Sequence, residues 1–240
     1  MSLDLMLGFN NKENPSKHGI QIGIRNESLY PYHVLQLGLL NGTGYKGNFR
    51  GVELGFLNKV EGTMYGLQTG VLNYSESLSG VQAGGFNLGS SVRGMQIGGI
   101  NLLSKDCSGF QAGFSNAVTK MSGVQLGFIN FSEKFDVHEI KKSGITGVQA
   151  GLINYVKEEI NGLQLGALDI ASELNGVQVG LVCYAKNGNY VQMGLLTFRG
   201  GDRPWYNRFS PLIGFSANGS KEESDVEIQQ SRKPRSYVRH

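Results

Sequence analysis

Gly80-Val81-Gln82-Ala83-Gly84-Gly85-Phe86-Asn87 is followed six residues later by Gly94-Met95-Gln96-Ile97-Gly98-Gly99-Ile100-Asn101. The octet returns as Gly109-Phe110-Gln111-Ala112-Gly113-Phe114-Ser115-Asn116 and as Gly123-Val124-Gln125-Leu126-Gly127-Phe128-Ile129-Asn130, then from Gly147 to Asn154. Weaker copies end at Asp169, Cys183 and Thr197, and earlier ones start at Gly19, Val34, Gly51 and Gly66. The consensus is G-φ-Q-φ-G-φ-φ-N, with φ apolar, and its positions are numbered one to eight below. Position five is glycine in all twelve copies, and position three is glutamine in eleven, with Glu53 the exception. Position eight is asparagine in nine, and position one is glycine in ten, with Val34 and Tyr190 departing. The glutamines recur every 14 or 15 residues, except for 17 between Gln36 and Glu53 and 24 between Gln125 and Gln149.

Within each octet, apolar residues at positions two, four and six alternate with small or polar ones. A period of two is a strand signal, and a glycine every four or five residues disfavours helix. Polar stretches such as Ser75-Glu76-Ser77 separate the octets, and a further apolar residue often precedes the next one, as Leu78, Val92, Cys107, Met121, Ile160 and Leu174 do. Identical columns suggest strands stacked in one direction, about 4.8 Å apart, so that glutamine lies on glutamine and asparagine on asparagine. The fold expected is all-β, a β-solenoid of about twelve 14-residue repeats. Position four alternates in size through Ala83, Ile97, Ala112, Leu126, Ala150 and Leu165. That pattern suggests two facing strands per coil, large side chains meeting small ones across a thin core. An antiparallel β-barrel of about twelve strands is the alternative, with Tyr74, Phe131, Tyr155, Tyr184 and Phe198 as interface girdles. Against it, barrel neighbours run in opposite directions and nothing aligns identical columns. The octets are also short of the roughly 9–11 residues a spanning strand needs.

The expected organisation follows. Residues 1–18 form an N-terminal cap or first strand, 19–198 the repeat domain, 199–218 a C-terminal cap, and 219–240 a charged, disordered tail. The long connection 131–146 interrupts the array and carries Lys134, Asp136, His138, Glu139, Lys141 and Lys142. Insertions in repeat proteins map to loops on one face, so this is the candidate contact loop; a plain solvated loop is the alternative. Trp205 and Phe209 are placed to cover the open end of the core, with Pro204 and Pro211 blocking further pairing. Cys107 and Cys183 are expected to be small core residues.

Charge and motif content narrow the function. The octets carry only Arg25, Glu53 and Asp169 as charged residues. The neutral glycine and glutamine columns therefore form either a self-association face or a surface packed against another part of the coil. Twenty-two basic residues against 19 acidic ones, a net charge of +3, argue against nucleic acid. The four histidines are scattered, with no metal-ligand spacing. There is no G-x-S-x-G elbow, and no helix follows the glycines to make a phosphate loop. The chain is expected to be non-catalytic and to need no cofactor or metal. Residues 1–14 lack the basic and apolar segments of a signal peptide.

The octets from Gly19 to Thr197, together with the closing Trp205-Tyr206 and Pro211-Leu212-Ile213, resemble the bacterial surface-repeat proteins best known from spirochaetes. The resemblance covers about three quarters of the chain. It implies a secreted or envelope-associated protein of undefined function, a binding or structural scaffold for an unknown protein or surface ligand. Two alternatives stand beside it: an outer-membrane barrel anchor or pore, which alone would involve a membrane, and a secreted effector that binds a host protein.

Overall fold

In a computed structural model, residues 4–12, 18–28, 32–43, 47–133, 143–200 and 208–216 are described. They form one sheet wound as a parallel β-solenoid. The strands are β1 (Asp4–Lys12), β2 (His18–Ser28), β3 (Tyr32–Thr43), β4 (Phe49–Ser132), β5 (Gly144–Ala150), β6 (Ile153–Asn187), β7 (Tyr190–Arg199) and β8 (Phe209–Ser216). Their spatial order is their sequence order. β4 and β6 run continuously through several coils.

The register is that of the octets. Gln21 pairs with Gln36 and Gly23 with Gly38; Gln125 pairs with Gln149, and Gln178 with Gln192. Each repeat lies on the next repeat in sequence, so one coil holds one repeat. The size alternation at position four therefore does not mark two strands per coil. The antiparallel barrel does not hold either, because successive repeats run parallel and the chain advances along the stack without closing. One further rung precedes the octets. β1 pairs in the same register, Met6 with Gln21 and Gly8 with Gly23, and Asn11 with Asn26. Asp4–Asn11 is thus a degenerate copy in which methionine replaces glutamine.

The interior has two zones. The apolar zone is built by residues two before position one (Met64, Leu78, Met121, Ile160, Leu174) and two after position eight (Val60, Leu103, Val118, Val156), all essentially inaccessible. The apolar residues noted between octets are therefore the true hydrophobic core. Cys107 and Cys183 are buried and unpaired, as expected.

The second zone is polar. Glutamines from Gln21 to Gln192 and asparagines from Asn11 to Asn154 are buried. Each glutamine Nε2 donates to the residue in its column on the preceding rung, which is a glutamine Oε1 except at Met6 and Glu53, as Gln82 does to Gln68 at 2.7 Å and Gln96 to Gln82 at 2.7 Å. Each asparagine Nδ2 donates the other way, as Asn87 does to Asn101 Oδ1 at 2.8 Å, and also to the carbonyl of position four in the next rung, here Ile97 at 2.9 Å. A buried amide is tolerated only when its groups find partners, and stacking identical amides supplies them.

This ladder explains the glycine at position five. A Cβ on Gly113 would lie 2.4 Å from the Gly98 carbonyl oxygen and 2.6 Å from Asn101 Nδ2. The glycine leaves the room that the asparagine column occupies. Position one is fixed differently: Gly94 has φ +129°, where side chains are strained, and its Cβ would lie 2.1 Å from the Gly80 carbonyl oxygen. In the last repeat, where Tyr190 replaces that glycine, Gly188 carries the positive φ two residues earlier.

β8 ends the stack. It folds back antiparallel on β7, with a register shift between Gly194 and Thr197 and a positive φ at Leu212. Pro211 lies inside this irregularity, where the ladder skips a pair. Phe209 is half-exposed and tilts against Phe198 at 5.6 Å, a partial cover. Trp205 and Pro204 lie outside the described residues, as does the tail 219–240.

Candidate functional site: an apolar wall

With glutamine, glycine and asparagine turned inward, positions two, four, six and seven must face outward. Of the two expectations for the glycine–glutamine columns, the residues take the second, packing within the coil: Gln82, Gln96, Gln111 and Gln125 have no accessible surface, and Asn87, Asn101, Asn116 and Asn130 have none. Gly84, Gly98, Gly113 and Gly127 line the same packed interior, against those asparagines. The apolar positions, read as core, are instead surface. Ile97 is 41% exposed, Phe114 60% and Leu181 59%.

The result is a wall running the length of the stack. Position six is the most prominent ridge, reading Ile24, Leu39, Phe56, Val71, Gly85, Gly99, Phe114, Phe128, Leu152, Ala167, Leu181 and Leu195. Phe114 and Phe128 stack on neighbouring rungs at 5.1 Å with their planes 7° apart. Aromatic residues one past the octet extend the wall around the corner; Phe131 meets Tyr155 edge-on at 6.0 Å. Monomeric proteins rarely expose contiguous apolar patches beyond a few hundred Å². Here every octet rung but that of Gly162, whose Leu163, Leu165 and Leu168 are half-buried, exposes a large apolar side chain, as do β1 with Leu5, Leu7 and Phe9 and β8 with Ile213 and Phe215, these last five all more than half exposed.

Apart from Arg25, at position seven of the first octet and paired with Glu27 at 3.2 Å, the exposed charged residues among those described lie elsewhere on the coil, in the connections. Lys59 pairs with Glu61 at 2.6 Å, and Lys157 pairs with Glu133. On that polar side a shallow groove of about 380 Å³ is lined by Tyr65, Ser77, Ser91 and Arg93. Among the described residues there is no cluster of three histidine, cysteine or acidic side chains.

Two acids break the amide ladders. Glu53, in the glutamine column, has no accessible surface; it accepts from Gln68 Nε2 at 2.8 Å, while its Oε1 has no partner. The Gln36 Oε1 of the rung below also has none. Those two orphaned oxygens are on facing rungs. A neutral Glu53 satisfies both, because its O–H donates where a glutamine Nε2 would. Burial pushes its carboxyl up to about 7, opposed by the Gln68 hydrogen bond. Asp169, in the asparagine column, accepts from Asn154 at 2.7 Å, and burial raises its carboxyl to about 6. Glu53 is the one departure in its column among the octets, whereas Asp169 opens the run Asp169, Cys183 and Thr197 in the asparagine column; burial, and after it the charge of Asp169, pushes the Cys183 thiol up to about 12.

The candidate loop residues Lys134, Asp136, His138, Glu139, Lys141 and Lys142 lie outside the described residues. At its flanks the stack is regular: Ser132 and Ser143 are buried, and Glu133 donates its N–H to the Val118 carbonyl. The wall was missed from sequence, yet a signal for it was present. Position five never varies and position three varies once, whereas position four ranges over Ala, Ile, Leu, Thr, Val and Met. Invariance within a chain marks the confined side, and tolerance marks the outside.

The fold defines the class, a parallel β-solenoid with an amide-laddered interior. The chain matches no protein-family model, no curated protein and no solved structure.

Proposed function

We propose that this protein is a non-catalytic scaffold of the cell surface or secreted space, and that the apolar wall is its working surface. One observation carries the reading. The wall runs from β1 to β8, with an exposed large apolar side chain on every octet rung but that of Gly162, while the buried carboxyls sit one to a rung within structural ladders. A solenoid that presents apolar side chains on one side and charged connections on the other is built to be covered. The surface or secreted setting rests on the resemblance of the octets to bacterial surface-repeat proteins.

The test uses the folded chain and a dye that fluoresces on apolar surface. Diluted to nanomolar concentration, where a covering partner has dissociated, the native protein should bind it strongly, without added denaturant. Leu181→Asp with Leu195→Asp should reduce the signal measurably while leaving the β circular-dichroism spectrum unchanged. A native protein that ignores the dye even at that dilution has no accessible wall, and the reading fails.

A further inference from the structure

The ridge at position six has an order that the scaffold reading does not require. We propose that the wall is covered by a second copy of this chain, the two rods lying antiparallel about a two-fold axis between the rungs of Gly99 and Phe114. The proposal rests on the wall being the working surface.

The argument is one of size. Counting outward from that midpoint, six position-six residues lie on each side. An antiparallel partner places equal counts opposite each other. Gly99 then faces Phe114, Gly85 faces Phe128, and Ala167 faces Phe56. Every phenylalanine of the twelve octets at position six thereby meets one of the ridge's three small residues. The remaining pairs are aliphatic on aliphatic: Val71 with Leu152, Leu39 with Leu181, Ile24 with Leu195. Position four follows near the axis, where Ala83 faces Leu126 and Ile97 faces Ala112.

The ends agree with the middle. The rung before the first octet, with Leu7 67% and Phe9 81% exposed, falls opposite β8, where Ile213 is 56% and Phe215 68% exposed. A parallel pairing would set phenylalanine on phenylalanine and glycine on glycine, leaving clashes beside voids, both of which cost stability.

Rung spacing is fixed at about 4.8 Å in both copies, so a match at one rung is kept at the next. Two identical sheets meeting this way form an isologous, closed interface. Positions two to seven at about 3.3 Å each, over a rod of roughly 60 Å, give about 1,000 Å² per copy. Standard interfaces bury about 800 Å² per partner. A bilayer would also cover an apolar wall, but fluid chains have no use for a self-complementary order of large and small side chains.

Sedimentation equilibrium of the full chain tests this. The wild type should be dimeric at micromolar concentration. Leu39→Glu, at a position 56% exposed, should weaken the dimer by about 100-fold. Adding Leu181→Lys to that chain should recover most of the loss, because each lysine would face a partner's glutamate, whereas Leu195→Lys should not. Leu181→Glu is the second variant should Leu39→Glu alter the circular-dichroism spectrum. A wild type that stays monomeric, a dimer indifferent to both glutamates, or equal rescue by both lysines overturns the arrangement. A monomer that binds the dye and co-sediments with phosphatidylcholine vesicles assigns the wall to lipid: the second-copy proposal then fails while the scaffold reading stands.

Discussion

Gly113 shows how tightly one residue can be held by its neighbours in the stack. Any Cβ there would collide with a backbone oxygen at 2.4 Å and an amide nitrogen at 2.6 Å, and neither has room to retreat without breaking a ladder. Gly113→Ala should therefore cost on the order of 3–5 kcal/mol or abolish folding, which thermal denaturation would register directly. Ala83→Ser, at an outward position, is the control and should leave the melting temperature nearly unchanged. Glu53 carries the opposite lesson, a side chain that fits in shape and not in charge. Unfolded, its carboxyl ionises near 4.5; folded, near 7. Below about pH 4.5 both states hold the proton and the residue costs nothing. As pH rises from about 4.5 to 7, only the unfolded state releases it, so stability falls, by on the order of 3 kcal/mol once both are ionised. Glu53→Gln should raise the melting temperature at pH 8, do little at pH 4, and flatten the profile between. Asp169 acts in the same direction over a lower window, from 3.8 to about 6.

At the scale of elements, the long connection is an interruption in an otherwise uniform period. Removing the nine residues 134–142 would reset the Gln125-to-Gln149 interval from 24 to 15, the spacing found elsewhere in the array. The buried Ser132 and Ser143 already close the rung on either side of the gap. The deletion should fold with a melting temperature within a few degrees of the parent; loss of cooperative unfolding would show that the loop belongs to the core. β8 is less dispensable. It pairs along β7 and ends the parallel ladder, so truncation after Gly200 exposes a strand edge that should aggregate, visible as light scattering.

For the whole molecule, direction and register of stacking were legible in the sequence because they are what a repeat encodes. Gln82, Gln96 and Gln111 recur at one place in each copy, and only parallel in-register strands let them meet. Which side of the sheet faces inward was not legible from periodicity. Alternation separates two faces without naming them, and the usual assignment of apolar residues to the inside fails where amides satisfy one another completely. The coil's true oil is confined to positions such as Leu78 and Met121, outside the octet. The strand expected within residues 1–18 is hard to read as a copy of the octet because Met6 replaces the glutamine; its sulfur still receives Gln21 Nε2 at 3.7 Å. Solution scattering of the monomer should give a rod of roughly 60 Å, set by rungs about 4.8 Å apart.

The two amide columns have opposite senses. Gln96 donates toward the N-terminal end and Asn87 toward the C-terminal end. Aligned dipoles add when they point one way, as in a helix; here each repeat contributes a pair that largely cancels. Duplicating a repeat therefore lengthens the protein without building up polarisation between its tips. A gene that grows or shrinks by whole units would keep producing electrically balanced rods, with length free to vary and the cross-section unchanged.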